Sequence, residues 1–279
     1  MMLPLFAELC AGTAALSLRL HGGKNARPPV SRMGNKQGYA AAILRCLGLR
    51  SGSGAARYLL CEPDDGCRLL LTSYTDAELR SKAAEIIANW ADQNPRQLWD
   101  RLRAEGPVKS PPVDPREVAR WVYNRANRVY GEGGFAAKKN GSPGNRWPVH
   151  VGCGLALSAL PTLPASILAD ARAVDPPQLP PGSVVYIDPP YVNTTGYAHD
   201  LGREAVCELA ERWASAGAWV VLSEAEPLAE LGWHQVEITG ERVGQKRTFS
   251  KQQREYLTMS QPPLWRPSEQ RTLFTMAAK

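Results

Sequence analysis

The sequence has 279 residues, of which 44% are hydrophobic and 22% are charged. So apolar a chain can bury enough surface to offset the entropy of ordering, which excludes a wholly disordered protein. No apolar run approaches the roughly 18 residues that cross a bilayer, and no basic residue precedes the apolar N-terminal stretch, as one would in a signal peptide. Six scattered cysteines without a CxxC pair favour reduced thiols over a disulfide scaffold or a zinc site. We therefore expect a cytoplasmic protein without a metal or a membrane partner.

The positive charge of the chain is local. The formal net charge is +6, and the segment 93–150 alone holds eleven basic and five acidic side chains. The rest of the chain holds equal numbers of both. Tryptophans and tyrosines alternate with the basic residues in this segment, a composition that suits contact with nucleic acid. A small helical subdomain with an aromatic core and a solvated basic face is the alternative.

Short apolar runs and helical periodicity alternate along the chain, which predicts an open α/β sheet with helices on both faces. Ligands of such sheets bind outside the carboxyl ends of the strands. The predicted strands are Leu5–Cys10, Arg57–Glu62, Val184–Asp188, Trp219–Ser223, His234–Thr239 and Glu255–Met259. The predicted helices are Ala14–Leu20, a segment ending near Leu47, Cys67–Leu71, Asp76–Trp90, Asp114–Arg128 and Arg203–Ala214.

The most specific motif follows the strand 184–188, where Asp188, Pro189, Pro190 and Tyr191 are consecutive. The two prolines fix the backbone and remove two amide donors, so nearby carbonyls stay available as acceptors. A carboxylate beside such a carbonyl suits an amino group, and an aromatic ring suits stacking on a flat heterocycle. The motif resembles the DPPY motif of amino-methyltransferases, which transfer a methyl group from S-adenosylmethionine to an exocyclic nitrogen of a base. A strand that ends in a proline turn is the plain alternative.

The first predicted strand runs into a small-residue turn and a helix, which is similar to the first motif of that family, an acid followed by F-x-G-x-G. Glu8 and Gly12 match, whereas Cys10 stands in place of the phenylalanine and Ala14 in place of the second glycine. The resemblance implies that Glu8, Cys10 and Gly12 contact the cofactor, because small residues let a ligand approach the backbone. An ordinary β–turn–α packing joint is the alternative.

Three further residues are candidates for the cofactor site. Glu62 closes the second predicted strand, where an acid commonly binds ribose hydroxyls, although a solvated loop acid is the alternative. Asp170 matches the family's acid that contacts the cofactor's adenine. Lys36 lies in a segment, 31–40, that resembles the family's G-G-K element and implies a contact with the cofactor's carboxylate. In the DNA adenine methylase family this element usually precedes the first motif, whereas here it follows it.

The predicted DNA contacts come from two regions. In the basic segment they are Arg125 and Arg128, with Lys138, Lys139 and Asn140 in a loop suited to entering a groove. Arg242 and Arg247 resemble the arginine-bearing C-terminal hairpin of the family, a plausible phosphate contact. A solvated hairpin explains these two arginines equally well.

Together these features predict a Rossmann-like methyltransferase sheet, formed by residues 1–92 and 151–279, with an inserted, mainly helical target-recognition region at 93–150. The predicted activity is methylation of the exocyclic N6 amino group of an adenine flipped out of double-stranded DNA, with S-adenosylmethionine as cofactor. An N4-cytosine methyltransferase is the nearest alternative. A catalytically idle DNA-binding module that keeps the fold is the alternative from another class. The sequence does not indicate the oligomeric state.

Overall fold

The computed structural model describes residues 3–30, 36–108, 113–128, 134–135, 151–176, 178–190, 201–238 and 255–265. Within these residues, seven strands form one mixed sheet in the order β3-β2-β1-β4-β5-β7-β6. The strands are β1 (Phe6–Leu9), β2 (Tyr58–Cys61), β3 (Ala165–Leu168), β4 (Val184–Ile187), β5 (Trp219–Glu224), β6 (His234–Ile238) and β7 (Glu255–Met259). The helices are α1 (Ala15–Gly22), α2 (Ala40–Cys46), α3 (Asp65–Thr75), α4 (Ala77–Ala88), α5 (Pro95–Ala104), α6 (Pro115–Ala126), α7 (Gly152–Ser158) and α8 (Arg203–Ser215).

The sheet is parallel over β3, β2, β1, β4 and β5, and β7 is antiparallel to both of its neighbours. The order 3-2-1-4-5 is that of a dinucleotide-binding sheet, and here β7 separates β5 from β6. The prediction of an α/β chain is confirmed, and the sheet is compatible with a Rossmann-like fold. The strand order reverses between β1 and β4, so the crevice that binds ligands in such sheets is expected at the carboxyl ends of these two strands.

Both faces of the sheet are covered by helices, which explains why its central strands are continuous apolar runs. Alternate residues of β1 divide between the two faces. Phe6 packs in the larger core with Leu16 of α1, whereas Ala7 packs in a second core with Leu209 and Trp213 of α8. The sheet is therefore a buried platform, and its strand ends are held in fixed positions.

Helices α3 to α7 form one packed group, in which α6 contacts α3, α4, α5 and α7. The segment 93–150 contributes α5 and α6 to this group, and its side chains Trp99, Trp121 and Tyr123 are buried. Trp121 lies against Gly66 of α3 so closely that a Cβ at residue 66 would collide with the indole. The described part of the basic segment thus shares the larger core.

Within the described ranges, no helix has the length and apolarity that crossing a membrane requires. The same residues contain no group of three or more histidine, cysteine, aspartate or glutamate side chains that could hold a metal ion. All six cysteines are free thiols.

Candidate active site

Acidic side chains gather at the carboxyl edge of the parallel strands. Glu62 follows β2, Asp170 comes two residues after β3, Asp188 follows β4, and Glu224 is the last residue of β5. The turn after β1 contains Gly12 and lies between the ends of β2 and β4, with which β1 pairs. The residues that the sequence predicted at strand ends therefore share one edge, at the point where the strand order reverses.

The turn between β1 and α1 has an unusual backbone. Cys10, Gly12 and Ala14 have φ angles of 62°, 52° and 50°, in the left-handed region that favours glycine. Ala14 and Cys10 hold this conformation with a side chain present, so the backbone is strained at both residues. A Cβ built at Gly12 would meet no atom within 4 Å, so open space lies directly beside the backbone of this turn.

Glu62 holds this turn to the end of β2. Its Oε2 accepts a hydrogen bond of 2.7 Å from the backbone N–H of Gly12, and its Oε1 accepts one of 3.1 Å from the N–H of Asp64. The N–H of Ala11 donates to the carbonyl of Cys61 at 2.8 Å. Glu62 is 5% exposed, so it is a buried support of the turn, and the alternative of a solvated loop acid is wrong. Its predicted contact with ribose hydroxyls stays a prediction.

Lys36 and Asp188 form a buried ion pair. The Nζ of Lys36 lies 2.6 Å from Oδ1 of Asp188 and 3.7 Å from Oε1 of Glu255, the first residue of β7. The hydroxyl of Ser223 donates to the same oxygen of Glu255. The Lys36 and Glu255 side chains are 5% and 3% exposed, whereas Asp188 is 20% exposed. Asp188 is thus the member of this group that reaches an open surface.

The ionisation of Asp188 is set by opposing effects. Burial raises the pKa of its carboxyl to about 6, and the Lys36 ammonium opposes that rise. The carboxylates of Glu255 and Glu62 add to the rise. Asp188 is therefore mostly ionised at neutral pH, and it depends on Lys36 for this charge.

Two neighbouring carboxyl groups are harder to ionise. Burial raises the pKa of Glu224 to about 8, and the charge of Asp188 contributes to that rise. Burial also raises the pKa of Glu8 to about 7, against hydrogen bonds from Ser17. Glu8 is 3% exposed and accepts a hydrogen bond from the Ser17 N–H in the first turn of α1. Glu8 thus supports the amino end of α1, and its predicted contact with a cofactor stays a prediction.

Two acceptor atoms at the proline motif receive no hydrogen bond from the residues that the structure describes. The N–H of Asp188 donates to the carbonyl of Leu9 at 3.2 Å, which fixes the end of β4 to the end of β1. Pro189 is buried and Pro190 is half-buried. Among the described residues, none donates a hydrogen bond to Oδ2 of Asp188 or to the carbonyl of Pro189. Tyr191, the last member of the motif, lies outside the described residues.

Asp170 differs from the other acids at this edge because it is exposed. Its carboxylate accepts hydrogen bonds from the guanidinium and the backbone N–H of Arg172. Arg172 lowers the pKa of Asp170, so this carboxyl is ionised at neutral pH. Asp170 therefore has the exposure and charge that its predicted contact with a cofactor needs.

The arginines of the basic segment divide into two groups. Arg120 is 3% exposed, pairs with Glu117 and donates to the carbonyls of Gly106 and Pro107, which makes it a support of the helical group. Arg116 makes a two-pronged ion pair with Glu105. These two arginines are engaged within the fold.

Arg125 and Arg128, two of the predicted DNA contacts, line an open cleft of about 500 Å³ between the amino end of α3 and helices α5 and α6. Arg103 also lines it. The remaining predicted DNA contacts lie outside the described residues; they are Lys138, Lys139, Asn140, Arg242 and Arg247.

No protein-family model matches the sequence, and no curated protein matches it significantly. Conclusions about this site therefore rest on the residues and their geometry. The sequence reasoning missed Glu224 and Glu255 as neighbours of Asp188. For Glu224 a signal was present, because an acid that ends a buried strand next to β4 shares its edge of the sheet. For Glu255, nothing local indicated that β7 begins beside β5.

Proposed function

We propose that this chain is an S-adenosylmethionine-dependent DNA methyltransferase that acts on the exocyclic N6 amino group of an adenine flipped out of double-stranded DNA. The observation that supports it most is the adjacency of two motif elements at the point where the strand order reverses. The turn at Gly12 leaves β1, Asp188 leaves β4, and β1 and β4 are paired. Neighbouring strand ends would thus hold a cofactor and an amino-group acceptor side by side.

The described residues fit the cofactor at three points. Open space beside the left-handed Gly12 would admit a ligand to the backbone. Glu62, which already holds the turn at Gly12, would accept from ribose hydroxyls, and Asp170, whose side chain is 42% exposed, from an adenine amino group. Lys36 already has Asp188 and Glu255 as partners, so its proposed contact with the cofactor's carboxylate would be a further one. When bound, the cofactor would supply a methyl group on a sulfonium centre.

The proposed chemistry uses Asp188 and Pro189 as paired acceptors. The amino nitrogen of adenine is a weak nucleophile because its lone pair is delocalised into the ring. Oδ2 of Asp188 would accept one of its hydrogens and the Pro189 carbonyl the other, which favours a localised lone pair directed at the methyl carbon. With the cofactor bound, the nitrogen–carbon bond would form as the sulfur–carbon bond breaks, the cofactor would leave as a neutral thioether, and the proton that the nitrogen loses would pass to solvent. Tyr191 would stack on the base, which must leave the helix to reach the site.

Lys36 acts in this proposal as a positioning residue. Its ammonium lies 2.6 Å from Oδ1 of Asp188 and favours the ionised carboxylate, while Glu255, which accepts a hydrogen bond from Ser223, lies 3.7 Å from the ammonium. Only an ionised Asp188 is an acceptor at both oxygens, since a protonated carboxyl donates from one of them. The buried pair therefore keeps the substrate-facing oxygen in its working state.

The test is incubation with methyl-labelled S-adenosylmethionine and unmethylated DNA, followed by nucleoside mass spectrometry. We expect labelled N6-methyl-2′-deoxyadenosine. Labelled N4-methyl-2′-deoxycytidine would instead show that the amino group belongs to cytosine. Absence of any methylated nucleoside, with DNA binding intact, would contradict the proposed activity and favour an idle DNA-binding module.

A further inference from the structure

The arginine cleft is lined by Arg103, Asn124, Arg125 and Arg128, among others, with Asp64 and Asp65 on the wall at the amino end of α3. Its wall at the amino end of α3 begins with Pro63, the residue after Glu62, so the cleft starts at the edge of the candidate active site. Its volume of about 500 Å³ lies within the range of small-ligand pockets. Its other wall belongs to α5, α6 and the chain that follows each of them.

Aromatic rings fix the guanidinium groups of this cleft. The Cζ atoms of Arg103 and Arg128 lie 5.2 and 6.0 Å from the centroid of the Trp99 ring, and that of Arg125 lies 5.5 Å from the Trp121 ring. A guanidinium over a ring face keeps its in-plane N–H groups directed outward, which is the geometry that binds a phosphate. Arg103 makes no ion pair with a carboxylate among the described residues. The cleft thus presents pre-positioned donors for an anion.

Asn124 supplies a second, independent observation. Its side chain is 9% exposed and lines the cleft, and its Oδ1 is buried without a hydrogen-bond partner within the described part of the chain. A buried amide oxygen without a partner costs roughly 1–3 kcal/mol. A ligand that carries an N–H donor would remove this cost, and asparagine side chains pair well with the amino edge of a purine.

We propose that the arginine cleft binds one unpaired nucleotide, with its phosphate on Arg103, Arg125 and Arg128 and the amino edge of its base on Asn124. The ligand chemistry is that of an anion joined to a hydrogen-bond donor, which neither an inorganic phosphate nor a neutral base provides alone. This inference rests on the proposed function where it takes the nucleotide to be part of the DNA strand near the target base. A free nucleotide has the same chemistry and is distinguished in the test.

The first experiment measures binding of fluorescein-labelled DNA to the full chain by anisotropy, over a range of salt concentrations. Arg103→Gln is compared with Arg101→Gln, which removes an equal charge from an exposed position of the same helix outside the cleft. We expect Arg103→Gln to weaken DNA binding about tenfold. The slope of log affinity against log salt concentration should also decrease by about one, since one ion fewer is released on binding. Arg101→Gln should stay within twofold of the original affinity. Equal losses in both variants would overturn the proposal, because they would indicate a diffuse field.

A second variant tests Asn124 against a purely structural role. Asn124→Leu keeps the side-chain size and removes the unpartnered oxygen, so we expect the melting temperature to rise by about 2–4 °C while DNA affinity falls. A lower melting temperature with unchanged affinity would overturn the role of Asn124. A structural residue would not give a gain in stability together with a loss in binding.

The source of the nucleotide is decided by competition with 2′-deoxyadenosine 5′-monophosphate. Competition by millimolar mononucleotide that Arg103→Gln abolishes supports a site for a free nucleotide. Arg103-dependent DNA binding without such competition supports a site for a nucleotide within the strand. The cleft and the proposed activity can fail separately: methylation with no effect of Arg103→Gln on binding overturns the cleft alone, whereas Arg103-dependent binding without methylation overturns the activity alone.

Discussion

Lys36 and Asp188 are separated by 152 positions in the sequence, yet the lysine Nζ lies 2.6 Å from the aspartate Oδ1. One partner comes from the short helix that leads to α2, and the other from the end of the central strand β4. The pair connects the segment that contains Lys36 to the motif that begins at Asp188. It also brings a buried positive charge to a group of carboxylates at the edge of the sheet.

The first prediction concerns the charge of Asp188. Lys36→Met keeps the length of the side chain and removes the ammonium that opposes the rise of the Asp188 pKa. The Asp188 carboxyl must be ionised to accept both hydrogens, so activity is lost as the pH falls through its pKa. In Lys36→Met, the acid limb of the pH profile should move from about pH 6 to above pH 7. The pH profile of kcat measures the shift.

The control is Lys36→Arg, which keeps a positive charge beside Asp188 and should leave the acid limb within about half a unit of its original position. Lys36→Met also removes the ammonium beside Asp188 and Glu255 and destabilises the protein, so rates are normalised to the folded fraction. An unchanged acid limb in folded Lys36→Met protein would contradict the positioning role.

The second prediction concerns the turn after β1. Gly12→Ala places a methyl group into open space beside a left-handed backbone, which costs roughly 1–2 kcal/mol of stability through strain alone. If that space receives the cofactor, the affinity for S-adenosylmethionine should fall at least tenfold. Isothermal titration calorimetry measures the affinity, and urea unfolding measures the stability.

Gly232→Ala is the matched control for this change. Gly232 follows the short helix Ala229–Leu231, lies in the left-handed region with a φ of 62°, and also has no atom within 4 Å of a Cβ. The two variants should lose similar stability, and only Gly12→Ala should lose cofactor affinity. Equal affinity in both would show that the space beside Gly12 does not receive the cofactor.

The third prediction concerns the pH dependence of stability. Burial raises the pKa of Glu8 from 4.5 to about 7, so the folded state binds a proton more tightly than the unfolded state does. The stability from this group is fully present below about pH 4.5 and is lost as pH rises through about 7. Glu8→Gln removes this titration. Between pH 5 and pH 8, its free energy of unfolding should therefore fall by about 2 kcal/mol less than that of the original chain.

Urea unfolding at both pH values measures the difference. Glu85→Gln on α4 serves as the control. Because Glu85 is exposed, its replacement should leave the pH dependence of stability unchanged. Identical pH dependence in Glu8→Gln and the original chain would show that Glu8 is ionised when folded.

Much of the sheet could be predicted from the sequence because buried parallel strands are continuous apolar runs with polar residues at their ends. β1, β2, β4 and β5 lie within one or two residues of their predicted bounds, and Asp76 and Asp114 cap α4 and α6. The same logic predicted Glu62 and Asp188 at strand ends. Local pattern is sufficient where burial on both faces determines the residue type.

The partners within the site could not be predicted in the same way. Lys36 meets Asp188 through tertiary packing, and Glu255 meets Lys36 only because β7 inserts between β5 and β6. β3 was missed because it is a four-residue edge strand whose residues alternate between half-buried and exposed. The left-handed Ala14 was also missed, because alanine rarely adopts that conformation and gives no signal for it.

The central claim is that Asp188 accepts the amino group that is methylated. Its most direct test compares Asp188→Asn with the original chain in single-turnover transfer from labelled S-adenosylmethionine to DNA, with cofactor affinity measured in parallel. The amide keeps the size of the side chain and loses the charge, so we expect transfer to fall 10²-fold or more with cofactor affinity within threefold. Transfer by Asp188→Asn within tenfold of the original rate would contradict the account.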